Sequence, residues 1–393
     1  MSTCASCRLQ AFNNIKNKYA AEQEFHYEPA RPQVMLLGVT NRCNLSCPYC
    51  FVHQNSVDMS LETAEQAIQW YKTNNPEHPM VTFFGGEPLL RFDEIIVPLV
   101  EKYHSEIEFC LTTNGVLLDE DKVDFFRKYN IQPLLSFDGP PQVQNTQRPG
   151  KTCNSFNEVL KNIPYLLLRL PNTLMRATIT KNSIPYLYET VLMAEQLNFK
   201  KVTFCPNAYE DWDIETEEEL YNQFNKIGLY IYKNLRENNF NTIKVDPICA
   251  RYSDIMKIDN LRFNNCLQRC GLGTTTCSIT PYGQIIPCQE KTSNPTVILG
   301  DIWKGIDFQK HEEYLRDYFE KVNNLQCDKG CSDREKLICL SDICPSRLED
   351  LGYVFSSAQC AFIRTALRVA GRLNYLCANS SFAHIRNYFG EDD

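Results

Sequence analysis

Cys43-Asn44-Leu45-Ser46-Cys47-Pro48-Tyr49-Cys50-Phe51 places three thiols within eight residues, a few positions after the apolar run Val34–Val39. That run reads as a strand and the cysteines as the loop leaving its C-terminal end. Three thiolates at this spacing can hold three corners of one iron–sulfur cube and leave the fourth iron open to an outside molecule. The same thiols suit a zinc knuckle, so the remainder of the chain has to decide between the two.

Outward from this loop the chain alternates. Short β-rich runs recur at Val34–Val39, Met80–Phe84, Ile107–Thr112, Gln132–Phe137, Leu174–Thr180 and Lys201–Cys205. Between them lie stretches with apolar residues at helical spacing: 60–73, 92–104, 119–129, 155–168, 184–197 and 215–238. Ser60 with Glu62, Asp119 with Asp121, and Ser183 have the chemistry of helix starts. Six strand–helix units in succession predict parallel strands with helices outside. The expected fold class is α/β, a partial (β/α)6 TIM-like barrel with fewer strands than a closed barrel and so a wide mouth. In such folds the chemistry sits at the C-terminal ends of the strands. The notable residues do follow the runs: Gly85-Gly86-Glu87-Pro88 after the second, Thr112 and Asn114 after the third, Ser136 and Asp138 at the end of the fourth, and Arg176 within the fifth. In the second group, glycines let the backbone approach a ligand closely, and the carboxylate can accept from an ammonium group.

At 393 residues, 43 % hydrophobic and 22 % charged, the chain can bury a full core and is expected to carry two domains. A formal charge of −8 argues against a general nucleic-acid binder. Nineteen cysteines imply disulfides or bound metal. The N-terminus has no apolar signal segment, and no run approaches the roughly twenty apolar residues of a membrane span. The expectation is a reducing cytoplasm, metal-bound thiolates, and an anaerobic setting for an open cluster. Residues 1–32 read as a polar N-terminal extension, in which Cys4 and Cys7 form an isolated C-x2-C.

After Asp246 the helical periodicity fades and cysteines cluster. Ser278-Ile279-Thr280-Pro281-Tyr282-Gly283-Gln284-Ile285-Ile286-Pro287-Cys288 reads as a hairpin that draws distant thiols together. Expected domain limits are 33–245 for the barrel, 246–365 for the cysteine-rich unit and 366–393 for a helical tail. In that tail Leu367, Ala370, Leu373 and Leu376 recur at helical spacing.

The C-x3-C-x2-C spacing, Tyr49 before the third cysteine and Phe51 after it resemble the radical S-adenosylmethionine (SAM) superfamily. Gly85-Gly86-Glu87-Pro88 closely resembles that family's SAM-amine loop. The resemblance implies that Cys43, Cys47 and Cys50 hold a 4Fe–4S cluster whose open iron chelates SAM. It further implies that Tyr49, Gly85, Gly86, Glu87, Pro88, Thr112, Asn114, Ser136, Asp138, Arg148 and Arg176 surround the SAM. Reductive cleavage of SAM would then give a 5′-deoxyadenosyl radical that abstracts hydrogen from an unactivated carbon. Gln144-Asn145 stands where many relatives have His-Asp.

The C-terminal field resembles the SPASM domain, which carries two auxiliary 4Fe–4S clusters. By family order Cys327, Cys331, Cys339 and Cys360 would hold the outer cluster. Cys270, Cys288 and Cys344 would hold the inner one, with Cys266, Cys277 or an open position as its fourth site. Every gap in this second half is longer than in the family pattern.

SPASM proteins mostly modify ribosomal peptides or protein side chains. The resemblance therefore implies a precursor-peptide substrate, an installed thioether or carbon–carbon cross-link, and an electron donor such as flavodoxin or ferredoxin. The short preamble implies that leader binding is minimal or comes from a separate protein. An anaerobic sulfatase-maturing activity is the alternative. It ranks second because Gln289 rather than Asp follows Cys288, and strand alternation would point Glu290 away from the site. A non-catalytic iron–sulfur or zinc-binding protein is the alternative of another class.

Overall fold

The computed structural model describes residues 25–74, 76–237, 239–256, 270–327, 330, 331, 338, 339, 344–378 and 388. Cys4, Cys7 and Cys266 lie outside them. Seven parallel strands form the body: β1 Val34–Thr40, β2 Met80–Gly85, β3 Glu108–Thr113, β4 Gln132–Ser136, β5 Leu174–Ile179, β6 Lys201–Pro206 and β7 Lys244–Asp246. Each of the first six matches an expected run to within a residue. β7, only three residues long, is too short to show a period and was not anticipated.

The expected helix starts hold at two sites. Ser60 Oγ accepts from Thr63 N at 3.0 Å and Asp119 Oδ1 from Lys122 N at 2.9 Å, each satisfying an orphan donor of the first turn. Ser183 behaves otherwise. Its hydroxyl accepts from Thr180 N at 2.9 Å and closes the turn after β5, and a 3-10 turn, Ile184–Tyr186, follows before the helix Leu187–Gln196. Apolar residues alternate inward along the strands, and Phe83 stacks on Phe109 at 5.4 Å between β2 and β3.

The hairpin forms as β8 Thr276–Ile279 and β9 Gln284–Ile286, with Gly283 at φ +75° in its turn. It does not stand apart. β8 pairs parallel with β1, Val34 opposite Thr276, so the order is β11-β10-β9-β8-β1-β2-β3-β4-β5-β6-β7, with β10 Gly300–Asp301 and β11 Gly305–Ile306 at the far edge. The C-terminal helix Ser357–Ala378 crosses the expected limit at 365 without a break. It packs on the helix Ile214–Arg236, where Phe362 meets Phe224 edge-on at 5.7 Å, and a Cβ on Gly228 would stand 2.9 Å from Val369 Cγ1. Leu367, Ala370 and Leu373 are buried as their spacing requires. Among the described residues no helix is long and apolar enough to cross a membrane.

Candidate active site

The C-terminal ends of β1 to β6 open into one cavity. The cysteine loop forms one wall, with Cys43, Cys47, Tyr49, Cys50 and Phe51. Gly85, Gly86, Glu87, Thr112, Asn114, Ser136 and Arg176 line it from the strands and their ends, and Arg148 from the end of the helix Pro141–Gln147. Pro88 and Asp138 do not. Pro88 instead starts a 3-10 turn, Pro88–Arg91, behind the wall.

Asp138 lies deeper, and its carboxylate is fully engaged by protein. It accepts from the Tyr49 hydroxyl, from Gln147 Nε2 at 2.8 Å and from Thr178 N at 2.9 Å, and it pairs with Arg148 Nε at 3.0 Å. With these donors around it, the group orients Tyr49 and Arg148 rather than reaching a ligand. Arg148 in turn lies over the Tyr49 ring, 5.5 Å from its centroid. Gln144 accepts from Asp138 N at 2.8 Å, which accounts for an amide at this position.

The two glycines have a reason beyond a ligand. A Cβ on Gly86 would stand 2.0 Å from Arg42 O, and one on Gly85 would stand 2.2 Å from Thr40 O. Their bareness lets the β2 exit lie on the β1 exit, joined by Gly86 N to Thr40 O and Glu87 N to Arg42 O, each 2.8 Å. Glu87 is buried and accepts from Thr113 Oγ1 at 2.8 Å, Leu89 N at 3.1 Å and Asn114 N at 2.8 Å. A carboxylate has about four acceptor positions, so one on Oε2 stays open. Burial raises its pKa from 4.5 to about 7. Thr113, its hydroxyl partner, lies between the expected site residues Thr112 and Asn114. Asn114 Nδ2 donates to Asn44 Oδ1 at 2.8 Å and reaches Cys43 Sγ at 3.7 Å, bracing the cysteine loop.

Burial pushes the Cys43 thiol up to about 11 and Cys47 to about 12, and it raises Cys50, with the Arg148 charge pulling Cys47 and Cys50 the other way. Metal binding would reverse this by holding thiolates. Among the described residues no three His, Cys, Asp or Glu side chains are close enough to hold a single metal ion. A cube gives each thiolate its own iron and so takes sulfurs set further apart than one ion does. The three loop thiols on one wall supply the donor set of a cube with one iron left open.

The C-terminal thiols form two neighbourhoods. Cys339 is hydrogen-bonded with Cys360 and lies within the electrostatic reach of Cys327 and Cys331, and Arg364 Nη1 donates to Cys331 Sγ at 3.9 Å. Cys288, Cys344 and Cys270 make the second, with Glu290 acting on all three. Cys277 sits in β8 opposite Met35 of β1 and near Tyr71, and burial raises its thiol.

The alternation expected at Gln289 and Glu290 also fails. Residues Gln289–Lys291 make a 3-10 turn, so both side chains line the cavity. Cys205 in β6, Asn207 and Tyr209 just after it, and Arg347 of the helix Pro345–Asp350 line it too; none of them stands in a sequence motif.

The sequence pattern of the Radical SAM superfamily matches residues 37–194. Uncharacterized protein MJ0907 of Methanocaldococcus jannaschii is 33 % identical over 217 residues, covering 52 % of this chain and 74 % of that protein. The radical SAM cyclopropyl synthase TigE of Paramaledivibacter caminithermalis is 24 % identical over 328 residues, 74 % of this chain and 65 % of the synthase. Among solved structures, native anSMEcpe with bound AdoMet and Cp18Cys peptide superposes with a TM-score of 0.69 at 19 % identity, over 88 % of this chain and 99 % of that one. That likeness is one of fold.

Proposed function

This chain belongs to the radical SAM superfamily, and on that footing we propose that it is a peptide-modifying member that forms a thioether or carbon–carbon cross-link in a ribosomally made precursor. It is an enzyme, and the family's cofactors are SAM and a 4Fe–4S cluster. The observation that carries the reading is the single cavity in which the cysteine loop, the Gly85–Glu87 turn and the turn after Cys288 face one another. When bound, cluster and SAM together supply a carbon radical that removes hydrogen from an unactivated carbon. In this reading Cys43, Cys47 and Cys50 hold the cluster. The open acceptor position of Glu87 would take the SAM ammonium, Arg148 and Arg176 would meet its carboxylate, and Tyr49, Thr112, Asn114 and Ser136 would contact the nucleoside.

The second and third clusters are part of the same proposal. Cys327, Cys331, Cys339 and Cys360 hold the outer one, and Cys270, Cys288 and Cys344 hold the inner one. Both lie in a C-terminal unit that begins near residue 246. A cytoplasmic, oxygen-free setting and a flavodoxin- or ferredoxin-like donor complete the reading. Support for a peptide substrate comes from the peptide bound in the structurally similar anSMEcpe and from the bond-forming activity named for the related cyclopropyl synthase. The test is anoxic incubation of reconstituted protein with SAM and dithionite. Formation of 5′-deoxyadenosine is expected, and its absence would refute the enzyme reading. Mass spectrometry of a co-expressed precursor should then show loss of two hydrogens; sulfatase maturation would instead alter a sulfatase.

A further inference from the structure

The short helix Pro345–Asp350 starts at Cys344, and its Arg347 lines the cavity. Two chains of contacts hold it. Arg347 Nη1 donates to Pro206 O at the end of β6, 3.1 Å away, and Nη2 pairs with Glu290 Oε1 at 3.3 Å. One turn further on, Asp350 accepts from the Tyr209 hydroxyl at 2.7 Å and pairs with Lys291. Residues three apart share a helix face, so both chains join the same three pieces of backbone: the β6 exit, this helix and the turn Gln289–Lys291. The signs alternate. Exchanging the two contacts would set Arg347 against Lys291 and Asp350 against Glu290, like against like. The Glu290 side chain is 10 % exposed and Arg347 17 %, whereas Lys291 is 9 % and Asp350 31 %, so solvent screens the first pair less than the second.

Cys288 precedes Glu290 by two residues, and Cys344 immediately precedes the helix. Seating the helix on the turn therefore fixes those two thiols against each other, and Pro206 and Tyr209 fix both against the barrel mouth. We propose that Arg347, Asp350, Glu290 and Lys291 are positioning residues that set the separation between the cysteine-loop site and the centre held by Cys270, Cys288 and Cys344. This rests on the reading of those thiols as cluster ligands. Electron transfer between two centres depends steeply on their distance, so the double ion pair governs how readily an electron passes between them.

The test uses full-length, reconstituted K291E and the charge-swapped K291E/D350K. Two quantities are read: amide hydrogen exchange over residues 345–351, and the microwave power saturation of the dithionite-reduced cysteine-loop cluster, which reports a paramagnetic neighbour. In K291E exchange should accelerate at least about tenfold, as loss of more than ~1.4 kcal/mol of local stability requires. The cluster should also saturate at lower power. The swap should restore both. Should K291E fail to fold, Tyr209→Phe removes one hydroxyl only and should move both readouts in the same direction by less. Unchanged exchange in a folded K291E overturns the proposal. Faster exchange with unchanged saturation also overturns it, since the helix would then be held without setting the spacing. Wild-type protein with only about four irons would remove the auxiliary-cluster reading itself, and the exchange measurement would still show whether the ion pairs hold the helix.

Discussion

Arg148 Nε stands 3.0 Å from Asp138 Oδ2 at a point where the Asp138 side chain has no exposure to solvent. Asp138→Ala would leave a buried guanidinium, the Tyr49 hydroxyl and the Thr178 amide without their acceptor. The expected loss is about 3–5 kcal/mol, read from urea midpoints. The same substitution in an Arg148→Met background should cost clearly less, because the pair is then already broken. Additive losses would show that the two residues act independently.

Glu87 should impose a pH dependence on the ligand-free protein. Its pKa is raised from 4.5 to about 7 by burial, so between those values the folded state keeps a proton the unfolded state has lost. Stability therefore falls as pH rises through that window and levels off above it. The effect is on the order of 3 kcal/mol. Glu87→Gln should flatten the difference between urea unfolding at pH 5 and at pH 8. Parallel pH profiles for the two proteins would mean that another group governs the slope.

Gly86→Ala should destabilise through contact rather than conformation. The added methyl would stand 2.0 Å from Arg42 O and 2.6 Å from Arg42 C, and backbone cannot swing aside as a side chain does. About 1–3 kcal/mol is expected, together with weaker SAM binding by calorimetry as Glu87 is displaced. A fully stable alanine variant would show that the two strand exits can part without cost.

The thiol groups divide the work. Cys47→Ala should lose about four irons and all 5′-deoxyadenosine formation, whereas Cys331→Ala should lose about four irons and keep part of that activity. Iron assay and product chromatography decide. Equal and complete loss in both folded variants would contradict the division.

The barrel was legible because its strands are buried and β-rich over five to seven residues, and because Ser60 and Asp119 cap their helices with ordinary chemistry. The cysteine loop and the Gly85–Glu87 turn were legible because thiols and paired glycines are rare at such spacing. Other features were not. Asp138 looked like a ligand contact because a strand-end carboxylate gives no sign of how many donors will surround it. Gln289 and Glu290 were read with the period of a strand, but the chain turns into a 3-10 helix there. Arg347 and Asp350 acquire meaning only from partners far away in the chain, which no local pattern records.

The seat of β8 beside β1 has a consequence for biosynthesis. Val34 is joined to Thr276, so β1 waits for about 240 further residues to be made before its outer edge is covered. Until then β1 offers a row of unsatisfied amides and carbonyls to any neighbouring nascent chain, and such distant pairing is slow to form. A fragment ending ahead of the hairpin would keep its thiol-bearing loop but expose this sticky flank, and it should aggregate where the whole polypeptide stays dispersed.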